Sequence, residues 1–355
     1  MASRTNFWNG RKVFLTGHTG FKGSWLSILL SDWGSQIYGY ALEADTRSIY
    51  QSAGVEQLLT CSDIADVRDL ARLTASLAQS GAEVVFHLAA QPLVRPSYKD
   101  PVETYATNVM GTVNLLEACR RVDSVRAVVV VTSDKCYENR EWLWGYRESE
   151  AMGGRDPYSS SKGCTELVTA SYRDSFLSGV GKRVATARAG NVIGGGDYST
   201  DRLFPDLVSS LLRNESTKIR NPNATRPWQH VLEPLSGYVT LAEHLLKEDG
   251  DAYAESWNFG PDAGSDRNVR DVVEATYRHW GSGRWEHEKG PQVHEANYLK
   301  LDSSKSRALL NWKPRWDFEN TIAKSVEWYR ADGDHADTLA VTRRQIEQYL
   351  SATGL

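Results

Sequence analysis

The chain has 355 residues, with 41 Lys plus Arg against 45 Asp plus Glu and a formal charge of -4. That length exceeds what one core usually supports, so a large α/β domain with a smaller lobe, and a cleft between them, is expected. The signs of charge are interspersed, no apolar run approaches a membrane span and the first residues lack the apolar centre of a signal peptide, so a soluble cytoplasmic protein with no nucleic-acid or membrane partner is expected.

Lys12 to Thr16 reads as a first strand, followed by Gly17, Thr19, Gly20, Phe21, Lys22 and Gly23 and then a helix closed by Gly34. Glycines at 17, 20 and 23 permit a tight turn, close backbone approach to a pyrophosphate and close helix packing, while the helix amino end offers N–H groups to phosphate. Dinucleotide binding is the reading favoured over a purely structural turn. A second strand, Gln36 to Tyr40, leads to Glu43 and Arg47, which leave NAD and NADP both open at this loop. Cys61 to Ile64 reads as a third strand whose Asp63 either meets adenine or is a solvated loop carboxylate. Glu83 to Ala90 is the fourth strand, with Leu88, Ala89 and Ala90 at its end to let a cofactor lie close, before Gln91 and Pro92 break it.

Helical periodicity runs from Pro101 to Val122, with Tyr105, Val109, Val113 and Leu116 on one face and Asn108 as a candidate for a buried polar role. Core packing explains most of that face, and pairing with a second subunit is the alternative. The central strand, around Val128 to Val131, opens into Thr132, Ser133, Asp134 and Lys135. A buried parallel strand ending in a hydroxyl, a carboxylate and an amine puts proton-handling groups where open α/β sheets bind ligands. Glu138 to Gly154 is polar and aromatic and is expected to loop over the site. Tyr158 and Lys162, four residues apart, share a helical face, so the ammonium is expected to favour the phenolate; an exposed neighbouring pair is the plain alternative.

A sixth strand, Arg183 to Ala189, runs into Asn191 and the Gly194, Gly195, Gly196 triplet, where the chain is expected to cross into the second lobe. Arg226, Trp228 and His230 gather an anion donor, an aromatic face and a polar ring, either as a contact for phosphate or base or as a surface loop with one packed Trp. Glu233 to Leu246 is helical and Trp257 to Pro261 is expected to rejoin the sheet edge. The stretch from His294 to Tyr298 falls in the small lobe, and the tail from about Asp334 is expected as a surface helix. Cys61, Cys119, Cys136 and Cys164 form no CxxC pair, so reduced thiols are expected, with no disulfide and no metal site.

The fold class expected is therefore α/β, a doubly wound Rossmann-type parallel sheet with a smaller mixed α/β substrate lobe. Residues 1–190, with 232–262 returning to them, form the dinucleotide-binding domain; 191–231 and 263–355 form the substrate lobe.

TGHTGFKG, DIAD, HLAAQ, TSDKCY and YSSSK occur in that order, and with them the chain resembles the extended short-chain dehydrogenase/reductase family over essentially its whole length. The triplet after the central strand looks like that of its sugar-nucleotide 4,6-dehydratases, with Lys135 where most carry Glu. The resemblance implies a tightly held NAD and catalytic Ser133, Tyr158 and Lys162, with Asp134 and Lys135 handling dehydration. It places Gly17, Thr19, Gly20, Phe21, Lys22, Gly23, Asp63, Ile64, Leu88, Ala89, Ala90, Asn108, Tyr158 and Lys162 at the cofactor. It gives Gln91, Asn191, Arg202, Arg226, Trp228, His230 and Tyr298 to a CDP-hexose substrate, and it implies a homodimer through the helices of Asn108 and Tyr158.

Overall fold

The computed structural model describes residues 2–262, 266–288 and 298–352; the His294 to Asn297 stretch lies outside them. The strand that reads as an unbroken apolar run, Ala127–Val131, is central and buried on both faces, as a parallel strand flanked by helices must be. Ala127, Val129 and Val131 pack into one layer with Trp25, Leu29 and Leu235. Val128 and Val130 pack into the other with Leu73, Leu77, Leu115 and Leu116, the period-two alternation of a strand realised on two sides.

Seven strands make up this sheet: β1 Lys12–Thr16, β2 Gln36–Ala41, β3 Cys61–Ile64, β4 Val84–His87, β5 Ala127–Val131, β6 Arg183–Ala189 and, after the second lobe has begun, Ser256–Phe259. In space they lie as Ser256–Phe259, β6, β5, β4, β1, β2, β3, every pair parallel. The order reverses between β1 and β4, and a ligand crevice is expected where strand order reverses in such sheets. The segment expected to rejoin the sheet edge does so, beside β6.

The chain leaves the main sheet at Gly190, before the glycine triplet, since the next strand pairs in a second sheet. After β7, Asn191–Ile193, the Gly195 carbonyl accepts from the Trp25 indole at 2.9 Å, and the Trp328 ring lies so close that a Cβ on Gly195 would overlap it. The turn is thus clamped between the helix Phe21–Asp32 of the dinucleotide half and the helix Phe318–Gly333 near the carboxyl end.

Of the two readings open at Arg226 to His230 the structure removes the surface loop, and the expectation for the tail needs correction. Arg226 to His230 is no surface loop: Thr225–His230 is the middle strand of a three-stranded sheet, between Asn191–Ile193 and Asp266–Asn268. Its Pro227 and its lack of a β-branched run hide a strand from propensity reasoning. The tail helix Thr338–Ser351 is more than a surface element, since Val341, Ile346 and Tyr349 enter the main core and the Tyr349 hydroxyl donates to Glu233 at 2.6 Å.

Gly195→Ala should lower the thermal unfolding midpoint, because forcing extra volume into a packed site costs about 1–3 kcal/mol. Gly179→Ala, where a methyl would meet nothing within 4 Å, should leave the midpoint nearly in place; equal midpoints for the two variants would contradict the clamp.

Candidate active site

One cleft of about 1470 Å³ runs from the glycine turn, past the carboxyl end of β5, to the second lobe. A site for a single small ligand is typically about 300–1,000 Å³, so this cleft has room for two molecules end to end. Its wall includes Gly17, Thr19, Gly20, Phe21, Lys22 and Gly23 at one end, Ser133, Lys135, Tyr158 and Lys162 in the middle, and Asn191, Arg202, Arg226 and Trp228 beyond.

At the turn, Gly17 has φ 76° and faces Ala89 so closely that a Cβ would stand 2.7 Å from its nitrogen. Gly23 presses on the Gly17 carbonyl, so both glycines are required by the protein itself. Gly20 differs: a Cβ there would meet only the Gly17 oxygen, at 3.4 Å, and would otherwise project into open space. It also begins the helix Phe21–Asp32 with no side chain capping that end. A bare helix start, kept clear by a glycine that packing does not require, fits a dinucleotide pyrophosphate. Leu88, Ala89 and Ala90 continue the wall beside it.

The middle of the cleft is crowded with cations. Ser133 Oγ donates to Asp134 Oδ1 at 2.9 Å, and Lys135 Nζ donates to the same oxygen at 3.2 Å. Asp134 is fully buried and its Oδ2 has no hydrogen-bond partner. Burial lowers the Lys22 ammonium to about 7, with Arg202, Lys162 and Lys135 pushing the same way and Asp134 opposing. Burial likewise lowers Lys162 to about 8, against the pull of Glu166. For Tyr158 burial raises the phenol, and the chief opposing influence is Lys135, followed by the hydrogen bond with Ser133. The expectation that Lys162 would be the group easing Tyr158 toward phenolate is therefore revised. Lys162 Nζ turns instead to the Val131 carbonyl, 3.3 Å away.

Several candidates lie off the cleft wall. Asn108 sits at a π-turn, Ala106–Met110, where its side chain accepts from Gln91 N at 2.8 Å and donates to Gln91 O at 3.0 Å and Ser161 Oγ at 2.8 Å. It is a brace joining the end of β4 to the Tyr158 helix. The Gln91 amide is occupied by Leu93 and Thr104. His230 is fully buried, held edge-on between Trp25 and Trp316, which makes it core and not substrate wall. Tyr298 braces the aromatic segment, donating to Leu143 O at 3.3 Å while its own carbonyl accepts from Asn139. Asp63 is ion-paired with Arg72, and Ile64 is exposed beside it.

Sequence reasoning missed Asp45 and Asp66, which line the glycine-turn end, and the use of Arg47, whose guanidinium stands 4.3 Å over the Tyr198 ring. It also missed His87, buried between Thr16 at 2.7 Å and Thr112 at 3.2 Å, and lowered to about 3 by burial. The segment expected to loop over the site is largely irregular between Glu138 and Gly154; Glu138 to Glu141 touch the cleft, and Tyr146 is buried and stacked on Tyr137. All four cysteines are free, and among the described residues no His, Cys, Asp or Glu group is placed to hold a metal.

A seven-stranded parallel sheet with a glycine turn at its crevice and a second lobe across the cleft defines a dinucleotide-binding α/β enzyme of the extended short-chain dehydrogenase/reductase type. A family model described as GDP-mannose 4,6 dehydratase matches residues 14–325, and the chain belongs to that family. It is 50% identical to CDP-glucose 4,6-dehydratase of Salmonella typhimurium, with 98% of each chain covered. It is 27% identical to UDP-glucose 4-epimerase of Mycolicibacterium smegmatis, over 90% of this chain and 98% of that one. The dTDP-glucose 4,6-dehydratase of Streptomyces venezuelae with NAD and TYD bound superposes with a TM-score of 0.78 at 23% identity, covering 92% of this chain and 99% of that one. At that identity the likeness speaks for the fold alone.

Gly20→Ala should fold with a near-normal unfolding midpoint yet bind NAD more weakly, read by titrating the cofactor against the purified protein. Gly17→Ala should instead lose the fold of the turn, because both its φ and its approach to Ala89 exclude a side chain. Wild-type affinity in Gly20→Ala would move the pyrophosphate elsewhere.

Proposed function

We infer that this chain is a hydro-lyase converting CDP-D-glucose to CDP-4-keto-6-deoxy-D-glucose and water, with no net change in cofactor redox state. The observation that carries the reading is the 50% identity, across 98% of both chains, to a CDP-glucose 4,6-dehydratase. The cluster of Ser133, Asp134, Lys135 and Tyr158 at the carboxyl edge of β5 supports it. NAD is the cofactor: Asp45 and Asp66 line the end of the cleft beside the turn, and Arg47 is engaged over Tyr198. When bound, NAD supplies a transient oxidation at C4 of the sugar and its reversal at C6.

Tyr158, as phenolate, takes the C4 hydroxyl proton while Ser133 Oγ orients that oxygen. The ketone formed acidifies C5. Lys135 Nζ passes its proton to Asp134 Oδ1, 3.2 Å away, and the amine so freed removes the C5 proton while the protonated Asp134 gives that proton to the departing C6 hydroxyl. Arg226 and Arg202 grip the diphosphate, with Trp228 beside them. Both guanidiniums lie on the cleft wall, Arg226 nearly buried and Arg202 paired with Asp197 at 2.7 Å. Residues 1–190 with 232–262 serve the cofactor, and 191–231 with 263–355 serve the sugar nucleotide.

A cytoplasmic homodimer accompanies this function. Val102, Tyr105, Met110 and Leu167 expose an apolar face on the helices that carry Asn108 and Tyr158, and a second copy covers it by isologous pairing. No helix among the described residues is long and apolar enough to cross a membrane.

Incubation with CDP-, UDP-, dTDP- and GDP-hexoses, followed by mass analysis, tests the reading. CDP-glucose should lose one water without NADH accumulating. A product of unchanged mass would indicate a 4-epimerase, the activity named for the Mycolicibacterium relative.

Within this mechanism Lys135 has two tasks in turn: as the ammonium it eases Tyr158, and once its proton has passed to Asp134 the amine is the base. Lys135→Met in heavy water should slow formation of the 4-keto sugar and abolish C5 exchange with solvent, each general-base contribution being worth about 10²–10⁴-fold. C5 exchange at the wild-type rate would assign the base to another group. Arg226→Ala should chiefly raise KM, as expected for losing a charge-assisted bond of about 1.5–3 kcal/mol, and an unchanged KM would place the diphosphate elsewhere.

A further inference from the structure

Behind the reacting groups lies an ion pair that the mechanism does not use. Arg188, on β6, grips Glu166 with two arms, Nη2 to Oε2 at 2.8 Å and Nε to Oε1 at 2.9 Å, and both side chains are 3% exposed. Glu166 also accepts from the hydroxyls of Thr132, of Thr186 at 2.6 Å and of Ser256 at 3.2 Å. Its carboxylate therefore joins the end of β5, β6, the edge strand Ser256–Phe259 and its own helix, Pro157–Tyr172. The remaining Arg188 nitrogen donates to the Tyr137 hydroxyl at 2.6 Å and the Glu148 carbonyl at 3.2 Å, reaching the aromatic segment.

Burying two charges costs several kilocalories, and a well-packed apolar pair usually stabilises a core as well or better. Stability alone gives little reason for the pair; its location gives a better one. Thr132 immediately precedes Ser133, and Glu166 lies one helical turn beyond Lys162, on the same buried face.

We propose that Glu166, locked by Arg188, is a positioning residue for the reaction inferred above: it fixes Thr132, and so the neighbouring Ser133 and Asp134, and it sets a permanent negative charge beneath the Lys162 ammonium. Lys162 is surrounded by Tyr158 and Glu166 on its own helix, Cys136 from the turn after β5, His87 from β4 and Lys22 from the helix after the glycine turn. Arg188 stands on β6 behind Glu166. Of these, Glu166 does most to hold the ammonium up against burial, and the Cys136 thiol, raised well above its ordinary value by burial, stays neutral. His87 is neutral near pH 7, being lowered to about 3, and Lys22 is itself depressed by Lys162. Removing the Glu166 charge lowers Lys162 further below about 8, so the ammonium loses its proton at lower pH.

Two variants separate the parts of this role. Thr132→Val keeps every charge and removes one hydroxyl; it should lower kcat about tenfold or more with little change in KM, because small displacements of reacting groups are costly. The titration of Lys162 should stay in place in it. Glu166→Gln keeps the shape and loses the charge; it should move the titration of Lys162 down by about one unit. Titrating the labelled Lys162 ammonium by NMR reads the same shift with no substrate present, so the result stands even where wild-type protein leaves CDP-glucose unchanged and the functional reading fails. An unshifted Lys162 in folded Glu166→Gln overturns the proposal. Where that variant does not fold, wild-type kcat in Thr132→Val overturns it.

Discussion

Burial of the Tyr158 phenol against a ring of cations is the constraint around which the rest of the site is arranged. Removing the hydroxyl from water works against the phenolate, and the opposing charges must come from side chains brought to one sheet edge by different elements. Lys135 arrives from the turn after β5 and Arg202 from the second lobe, while Lys162, from the helix of Tyr158, and Lys22, from the helix after the glycine turn, line the same cleft. One carboxylate, Asp134, stands among them and ties Ser133 to Lys135. These charges disfavour one another, as Lys22 records, lowered first by burial and then by Arg202, Lys162 and Lys135, so the cluster is held together by the fold and does not assemble itself.

The fold holds it through buried polar braces. Asn108 fastens the end of β4 to the Tyr158 helix, His87 links β1 and β4 to the helix of Thr112, and Glu166 with Arg188 fastens β5, β6 and the edge strand. These braces meet β1, β4 and β5 at or just past their carboxyl ends, and the Glu166 brace reaches the edge strand at its first residue, Ser256. Hydrophobic layers alone would keep the strands together, but they are indifferent to small slips along the chain; directed hydrogen bonds among desolvated groups are not.

Much of the architecture was legible because it obeys simple periodicities. β1 to β6 fall where apolar runs end at glycine or polar turns, and the glycine turn announces itself by spacing and position. Thr225–His230 was obscured by Pro227 and by polar residues that the second lobe buries. Within the site, residue type was readable and direction was not. His230 and Tyr298 carry the right chemistry for ligand contact, yet one is packed between indoles and the other braces a loop. The Tyr158 and Lys162 spacing pointed to their shared helix, but the largest charge opposing burial of the phenol comes from Lys135, whose approach depends on a turn no periodicity describes. Glu166 and Arg188 each stand among uncharged neighbours in the sequence, which does not name the partner.

The most direct test of this account is the titration of Tyr158 itself, followed by NMR of tyrosine-labelled protein in the wild type, Lys135→Met and Lys162→Met. The phenol should titrate above its ordinary value in the wild type and rise further when Lys135 is removed, by more than when Lys162 is removed. A phenol that stays in place in Lys135→Met and climbs only in Lys162→Met would contradict the account.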